Sequence, residues 1–103
     1  GREYAMKKAA KITIENVLQP GKTYSADAAK YEAMKKAMLK TLPAAAPGMT
    51  GAELQAGVLP HLPDELFPGG DKAGWWVKAV QLDLEAKKVI ARSPKPPVRL
   101  HIV

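Results

Sequence analysis

Apolar and polar residues alternate near the N-terminus of the chain. In residues 11–17, Ile12 and Ile14 fall on one side, whereas lysine, threonine and glutamate occupy the other. A period of two is typical of a strand with one buried face. Pro20 and Gly21 follow, and this pair favours a turn because proline fixes φ and glycine accepts a positive φ. The pattern therefore predicts a short N-terminal strand that ends at a turn.

The period then changes to that of a helix in residues 27–42. Asp27 or Ser25 can cap the free N–H groups at its start, and Pro43 prevents its continuation. Apolar residues that recur at helical spacing are typical of the buried face of a surface helix. The predicted buried face consists of Tyr31, Met34, Met38 and Leu42.

A second, shorter helix is predicted after a loop rich in alanine and proline. Thr50 and Glu53 have the spacing of a capping box, in which each side chain accepts an N–H at the start of the helix. Pro60 ends this helix. Its apolar face contains Leu54, Val58 and Leu59. In the connection that follows, we expect three apolar side chains to fill the core, namely Leu62, Leu66 and Phe67.

The third predicted helix, residues 72–87, is apolar on two opposite faces, and Asp71 is its expected N-cap. At about 100° per residue, the first apolar face contains Ala73, Val77, Val80 and Leu84, with Trp76 at its margin. The second apolar face contains Trp75, Ala79, Leu82 and Ala86. Two polar strips separate these faces, one with Lys78, Gln81 and Glu85 and the other with Lys72, Asp83 and Lys87.

Two short strands, residues 89–92 and 98–103, are predicted to form a hairpin around a proline-rich loop. One face of the last strand contains Val98, Leu100 and Ile102. Three helices followed by such a hairpin is the arrangement of a winged helix-turn-helix domain. We therefore predict an α+β fold, a winged helix-turn-helix with three helices, a C-terminal β-hairpin wing and an extra short N-terminal strand. Residues 11–103 form this single domain, and residues 1–10 form an N-terminal arm.

Three segments also carry a family resemblance: "DAAKYEAMKKAMLKTLP", "PHLPDELFPGG" and "GWWVKAVQLDLEAKKVIAR". Together, over roughly residues 11 to 101, they resemble a family of small bacterial winged-helix-like proteins catalogued as a domain of unknown function. The resemblance implies a winged-helix-like fold and supplies no activity. The segment "LEAKKVIAR" resembles the junction between helix and wing in bacterial winged-helix regulators. Those proteins usually have glycine at the position of Lys88, because a left-handed residue ends the helix there.

The second apolar face of the third helix bears on function. The third helix of a winged helix-turn-helix enters the major groove, where polar side chains contact the base edges. Here that face offers an indole, an isobutyl group and two methyl groups, and a helix with two apolar faces is normally covered on both. The N-terminal strand and arm of the same chain can supply the cover. A second subunit can equally supply it, in a homodimer through the third helix and the N-terminal segment.

The charge is strongly basic and unevenly distributed. The net charge is +6, but residues 51–71 contain four acidic residues and no basic one. A basic chain suits a polyanionic partner, although a solvated lysine-rich surface explains the same composition. The candidate phosphate-binding residues are Arg92, Lys95 and Arg99 in the wing, with Lys72 and Lys78 on the third helix. We expect a small transcriptional regulator that contacts double-stranded DNA, or alternatively a winged helix for protein interaction or dimerisation without DNA binding.

Catalytic and metal chemistry has little support in the residue types. The chain has no cysteine, and its two histidines, His61 and His101, have no metal-ligand spacing. No local pattern indicates a catalytic triad, so we expect neither enzyme activity nor a cofactor. No run approaches the roughly 18 consecutive apolar residues of a membrane span, so no membrane partner is expected. The lack of cysteine permits a cytoplasmic setting, which we expect.

Overall fold

Three helices and two small antiparallel sheets make up the fold in a computed structural model, which describes residues 10–103. The predicted N-terminal arm, residues 1–10, lies outside these described residues except for Ala10. In chain order the elements are β1 (Lys11–Glu15), β2 (Thr23–Asp27), α1 (Ala28–Thr41), β3 (Met49–Thr50), α2 (Gly51–Val58), α3 (Ala73–Ala86), β4 (Ile90–Arg92) and β5 (Arg99–Ile102). The predicted α+β class is therefore confirmed.

Strand β1 was predicted, but its partner β2 was not. The two strands form an antiparallel hairpin in which Ile12 lies opposite Ala26 and Ile14 opposite Tyr24. Ile14 and Ala26 are buried, so the predicted apolar side of β1 faces the core. Residues 23–25 are exposed and polar or aromatic. Their sequence shows little alternation, and pairing with β1 decides their conformation.

Helix α1 begins and packs as predicted. The Asp27 side chain caps it by accepting the Lys30 N–H at 3.0 Å. At its other end, the Leu42 N–H donates to the Met38 carbonyl at 2.9 Å, and Pro43 follows. All four residues of the predicted apolar face are buried, namely Tyr31, Met34, Met38 and Leu42.

The second sheet has three strands, in the order β3–β5–β4. Strand β3 was predicted as a loop, and it consists of two residues that pair with β5. The chain approaches β5 closely at Gly48, whose φ is +89°. A Cβ atom there would lie 2.1 Å from the Leu100 carbonyl oxygen, so only glycine fits.

The capping box of α2 is confirmed. The Thr50 hydroxyl accepts the Glu53 N–H at 3.1 Å, and the Glu53 carboxylate accepts the Thr50 N–H at 2.9 Å. Leu54 and Val58 are buried, but Leu59 is 46% exposed. The prediction for Leu59 was wrong because the chain leaves α2 through a 3-10 turn, Leu59–His61, which directs this residue outward.

The N-cap of helix α3 lies one residue later than expected. The prediction of Asp71 as N-cap was wrong, since Lys72 occupies that position with a left-handed φ of 61° and no capping side chain. The Asp71 N–H instead closes a 3-10 turn onto the Pro68 carbonyl at 2.9 Å. At the other end, Lys88 is left-handed with a φ of 62°. The helix therefore ends where the family resemblance indicated, with lysine in place of glycine.

Apolar side chains from every layer meet in one core. Phe67 is buried, and Leu62 and Leu66 pack against the core from the connection before α3, as expected. Leu100 is buried on the last strand, whereas Val98 is exposed because β5 begins only at Arg99. All four residues of the first apolar face of α3 are also buried, namely Ala73, Val77, Val80 and Leu84.

Candidate interaction surface

The β1–β2 hairpin covers the C-terminal half of the second apolar face of α3. Leu82 is only 8% exposed, and its carbonyl accepts the Val17 N–H at 3.3 Å. Ala79 and Ala86 are half-buried. The same chain therefore supplies much of the cover that the two-faced pattern required. This half of the helix is unavailable for base contacts.

Trp75 lies on the same face, one to two turns earlier, and is 60% exposed. Its ring packs edge to face on Trp76, with 5.1 Å between the centroids. Trp76 is buried and packs in turn on Phe67, with 6.3 Å between the centroids. Trp75 is consequently a large exposed aromatic side chain on a rigid base, which is typical of an interaction site.

A groove of about 330 Å³ lies between the N-terminal half of α3 and the hairpin. Its apolar and aromatic walls come from Ile14, Tyr24, Trp75, Ala79 and Leu82, and its polar rim from Glu15, Asn16, Ser25 and Lys78. We call this feature the α3–hairpin groove. It combines a projecting indole, an apolar recess and charges of both signs.

A buried carboxylate anchors the hairpin to α3. Asp83 is fully buried, although the helical periodicity of the sequence placed it in a polar strip of the third helix. It accepts the Glu15 N–H at 2.8 Å and the Lys87 ammonium at 2.7 Å. It also accepts the Tyr31 hydroxyl, and burial together with Asp83 raises the pKa of Tyr31 above its usual value. Asp83 thereby joins β1, α1 and the end of α3 through one side chain.

Arg92, a candidate phosphate-binding residue of the wing, is paired within the fold. Its guanidinium donates to the Glu85 carboxylate at 2.5 and 2.9 Å, and the Gln81 amide donates to the same carboxylate at 3.0 Å. The hydrogen bonds with Glu85 raise the pKa of Arg92. Glu85 is nearly buried and Arg92 is half-buried. A carboxylate on α3 therefore neutralises this candidate cation.

The other candidate cations differ in their surroundings. Arg99 is half-buried, with its guanidinium 4.0 Å from the Glu53 carboxylate. Lys95 is exposed in the loop between β4 and β5, where the Ser93 hydroxyl donates to the Lys95 and Pro97 carbonyls. Lys72 and Lys78 are exposed on α3. Within residues 10–103, no carboxylate lies within 4.0 Å of these three lysines.

Sequence reasoning missed Tyr24, which forms one wall of the groove and is 44% exposed. The available signal was Tyr24 and Ala26 at a spacing of two, across a turn from Ile12 and Ile14. That arrangement is the pattern of a hairpin with one apolar face.

No group of three or more histidine, aspartate or glutamate side chains in the described part of the chain is arranged to hold a metal ion. Among the same residues, no helix is both long and apolar enough to cross a membrane.

The comparisons with known proteins give one match. Residues 11–100 match a family described as "Family of unknown function (DUF6958)". The match confirms the predicted resemblance to a family of unknown function, over nearly the predicted range. No curated protein and no solved structure matches the chain.

Proposed function

The chain belongs to the Family of unknown function (DUF6958), and since membership supplies no activity, we propose from the geometry that it is a winged-helix protein that dimerises through the α3–hairpin groove. The winged-helix assignment is supported by the order α1–β3–α2–α3–β4–β5, with three helices before a two-stranded hairpin. The extra hairpin β1–β2 distinguishes this chain from the plain arrangement.

The exposed Trp75 beside an apolar recess carries the proposal. The indole adjoins the apolar walls of the groove, and contiguous exposed apolar surface of this kind marks binding sites more often than single exposed residues do. Tryptophan is enriched among the residues that dominate interface energies, because it buries a large area from a well-defined position. The edge-to-face contact with Trp76 limits the side-chain entropy that association would remove.

A second copy of the chain suits this surface because the surface is self-complementary. A two-fold interface applies the same patch to itself, so each patch must contain both halves of every contact. Here Trp75 projects next to a recess of about 330 Å³, and Lys78 and Glu15 lie on one rim. A two-fold arrangement would place the indole of each copy in the recess of the other and bring opposite charges together.

The test is sedimentation velocity over a wide range of protein concentration. Wild type is expected to dimerise, and Trp75→Ala is expected to remain monomeric with an unchanged circular dichroism spectrum. Leu59→Ala is the matched control, since Leu59 is also an exposed apolar residue but lies outside the groove. A wild type that stays monomeric at every concentration would overturn the proposal, as would a dimer that Trp75→Ala leaves intact.

DNA binding is the second candidate, and the exposure of Lys72, Lys78 and Lys95 favours it. These lysines have no carboxylate partner among residues 10–103, so they can neutralise phosphates. Of the three candidate phosphate contacts in the wing, only Lys95 is free of a nearby carboxylate among residues 10–103. Glu85 lies beside Arg92, and Glu53 lies beside Arg99. The hairpin over Leu82 also obstructs insertion of α3 into a major groove. We therefore place this function second.

A further inference from the structure

Strand β2 has one edge that no other strand of residues 10–103 covers. The Ala28 N–H donates to the Ala10 carbonyl at 3.3 Å. With the register of β1 and β2, this bond identifies which residue pairs exchange backbone hydrogen bonds between the two strands. Residues in an antiparallel ladder point their N–H and C=O groups alternately toward and away from the partner strand. Thr23 and Ser25 belong to the pairs that do not exchange these bonds, so their N–H and C=O groups point away from β1.

Two outward N–H groups at the end of β1 and just after it are already paired. The Glu15 N–H donates to Asp83, and the Val17 N–H donates to the Leu82 carbonyl. Contacts with α3 therefore occupy the outer edge of β1 around Glu15, whereas no strand among residues 10–103 pairs with the outer edge of β2. Unpaired edges of this kind pair readily with another strand.

The first four residues of β2, Thr23 to Ala26, carry no charge that would oppose such pairing. Proteins usually protect a free edge with lysine, proline or a bulge inside the strand. Strand β2 reads TYSAD and pairs with β1 in an unbroken register. Threonine and tyrosine favour strands, and Thr23, Tyr24 and Ser25 are all exposed.

The free edge adjoins the α3–hairpin groove. Tyr24 and Ser25 of β2 line that groove together with Trp75. The Tyr24 hydroxyl donates to Gln19 at 2.5 Å, which orients the ring. A strand added at β2 would therefore cover exposed aromatic area and complete the backbone pairing in one step.

We infer that the occupant of this edge is strand β2 of a second copy, paired antiparallel about a two-fold axis through Tyr24. This inference rests on the proposed dimer and specifies how the two copies meet. Thr23 of each copy would exchange backbone hydrogen bonds with Ser25 of the other, and the two Tyr24 rings would lie opposite each other. The result is a four-stranded antiparallel sheet with a β1 strand at each outer side.

The charges at the two ends of β2 favour this antiparallel pairing. Lys22 directly precedes the strand and Asp27 ends it. Antiparallel pairing brings the basic end of one copy next to the acidic end of the other, whereas parallel pairing would bring like charges together. A second copy thus supplies backbone, aromatic and charge complementarity at once.

The decisive variant is Ser25→Pro, compared with Ser25→Ala. Proline removes an N–H that points away from β1, which is the position where edge strands tolerate it. Sedimentation is expected to show a dissociation constant raised at least about tenfold by Ser25→Pro. Ser25→Ala keeps the N–H and is expected to weaken dimerisation far less than Ser25→Pro, which separates the backbone contribution from that of the side chain.

Hydrogen exchange of the Thr23 and Ser25 amides gives a second measurement that does not depend on a variant. Both amides are expected to exchange slowly in the dimer and quickly after dilution or in Trp75→Ala. If Trp75→Ala dissociates the dimer while both amides exchange quickly throughout, dimerisation stands and edge pairing is wrong. Protection that is unchanged by dilution also overturns the inference, because cover from within the chain does not depend on concentration. If Ser25→Pro fails to fold, this exchange experiment decides.

Discussion

Arg92 on strand β4 and Glu85 on helix α3 form a two-point ion pair, with N–O distances of 2.5 and 2.9 Å. The pair ties the wing to the helix that precedes it. Its carboxylate is nearly buried, so the cation is part of the fold and contributes little free charge to the surface.

Arg92→Ala is therefore expected to lower the free energy of unfolding by about 2 kcal/mol. The substitution leaves the Glu85 carboxylate buried with only the Gln81 amide as a partner, and an unpaired buried charge is costly. Urea denaturation at neutral pH measures the effect. Lys95→Ala is the control in the same wing, and its effect is expected to stay within about 0.5 kcal/mol because that side chain is exposed. Equal stability for both variants would contradict a structural role for Arg92.

The DNA-binding alternative gives a prediction about salt. If Lys72, Lys78 and Lys95 bind phosphates, affinity for duplex DNA falls with salt by a log–log slope of about −0.9 per neutralised phosphate. Replacement of all three by alanine is expected to flatten that slope by about two to three units, similarly for all DNA sequences. Fluorescence anisotropy at several salt concentrations measures the slopes. Equal slopes for wild type and triple variant would remove these lysines as contacts, and no binding at low salt would remove this function.

The two halves of the second apolar face of α3 are expected to respond differently to charge. Trp75→Lys places an ammonium in solvent, so the variant is expected to be a folded monomer. At a dilution where wild type is also monomeric, its stability is expected to lie within about 1 kcal/mol of wild type, the loss coming from the contact with Trp76. Leu82→Lys forces an ammonium under the hairpin and is expected to cost about 3 kcal/mol or more. Thermal melts followed by circular dichroism, with sedimentation alongside, separate the two. The prediction fails if both variants are equally stable.

Lys88 occupies a left-handed backbone conformation that glycine adopts without strain. Lys88→Gly is therefore expected to stabilise the protein by up to about 1 kcal/mol. Lys78→Gly is the control inside the same helix, where glycine is expected to cost about 1 kcal/mol. Urea denaturation of both variants tests the contrast, and a loss of stability in both would contradict it.

The capping box of α2 predicts a dependence of stability on pH. The Thr50 N–H holds the pKa of Glu53 below its ordinary value. Because the folded-state pKa is the lower one, this stabilisation is fully present above the unfolded pKa near 4.5 and is lost as pH falls through the folded value. Wild type is thus expected to exceed Glu53→Gln in stability at pH 7, with the difference narrowing below about pH 4. Urea denaturation from pH 3 to 7 measures it, and a difference that does not change with pH would contradict the cause.

The helices could be predicted because their signals are local. The cap at Asp27, the capping box at Thr50 and Glu53, and the apolar face of α1 all lie within single segments, and the structure confirms them. Strand β3 has no such signal, and β2 has only Tyr24 and Ala26 at a spacing of two. Residues 49–50 form a strand because β5 lies beside them, and that pairing spans about half the chain.

The candidate site was predicted in part for a similar reason. The exposed Trp75 and the covered Leu82 lie on one apolar face in the sequence, and only the position of the hairpin separates their environments. The pairing of Arg92 with Glu85 crosses the end of α3. It depends on the turn at Lys88, where glycine was expected and lysine stands. The net charge can be counted from a sequence, but whether a carboxylate neutralises a given arginine depends on how such turns place the two side chains.

Asp27 ends strand β2 and also caps helix α1, which begins at the next residue. No loop separates the two elements, and the buried Asp83 accepts hydrogen bonds from both the hairpin and α1. We therefore expect a displacement of the hairpin from α3 to disturb the start of α1. A spectroscopic label at the N-terminus of α1 would report whether occupancy of the α3–hairpin groove does so.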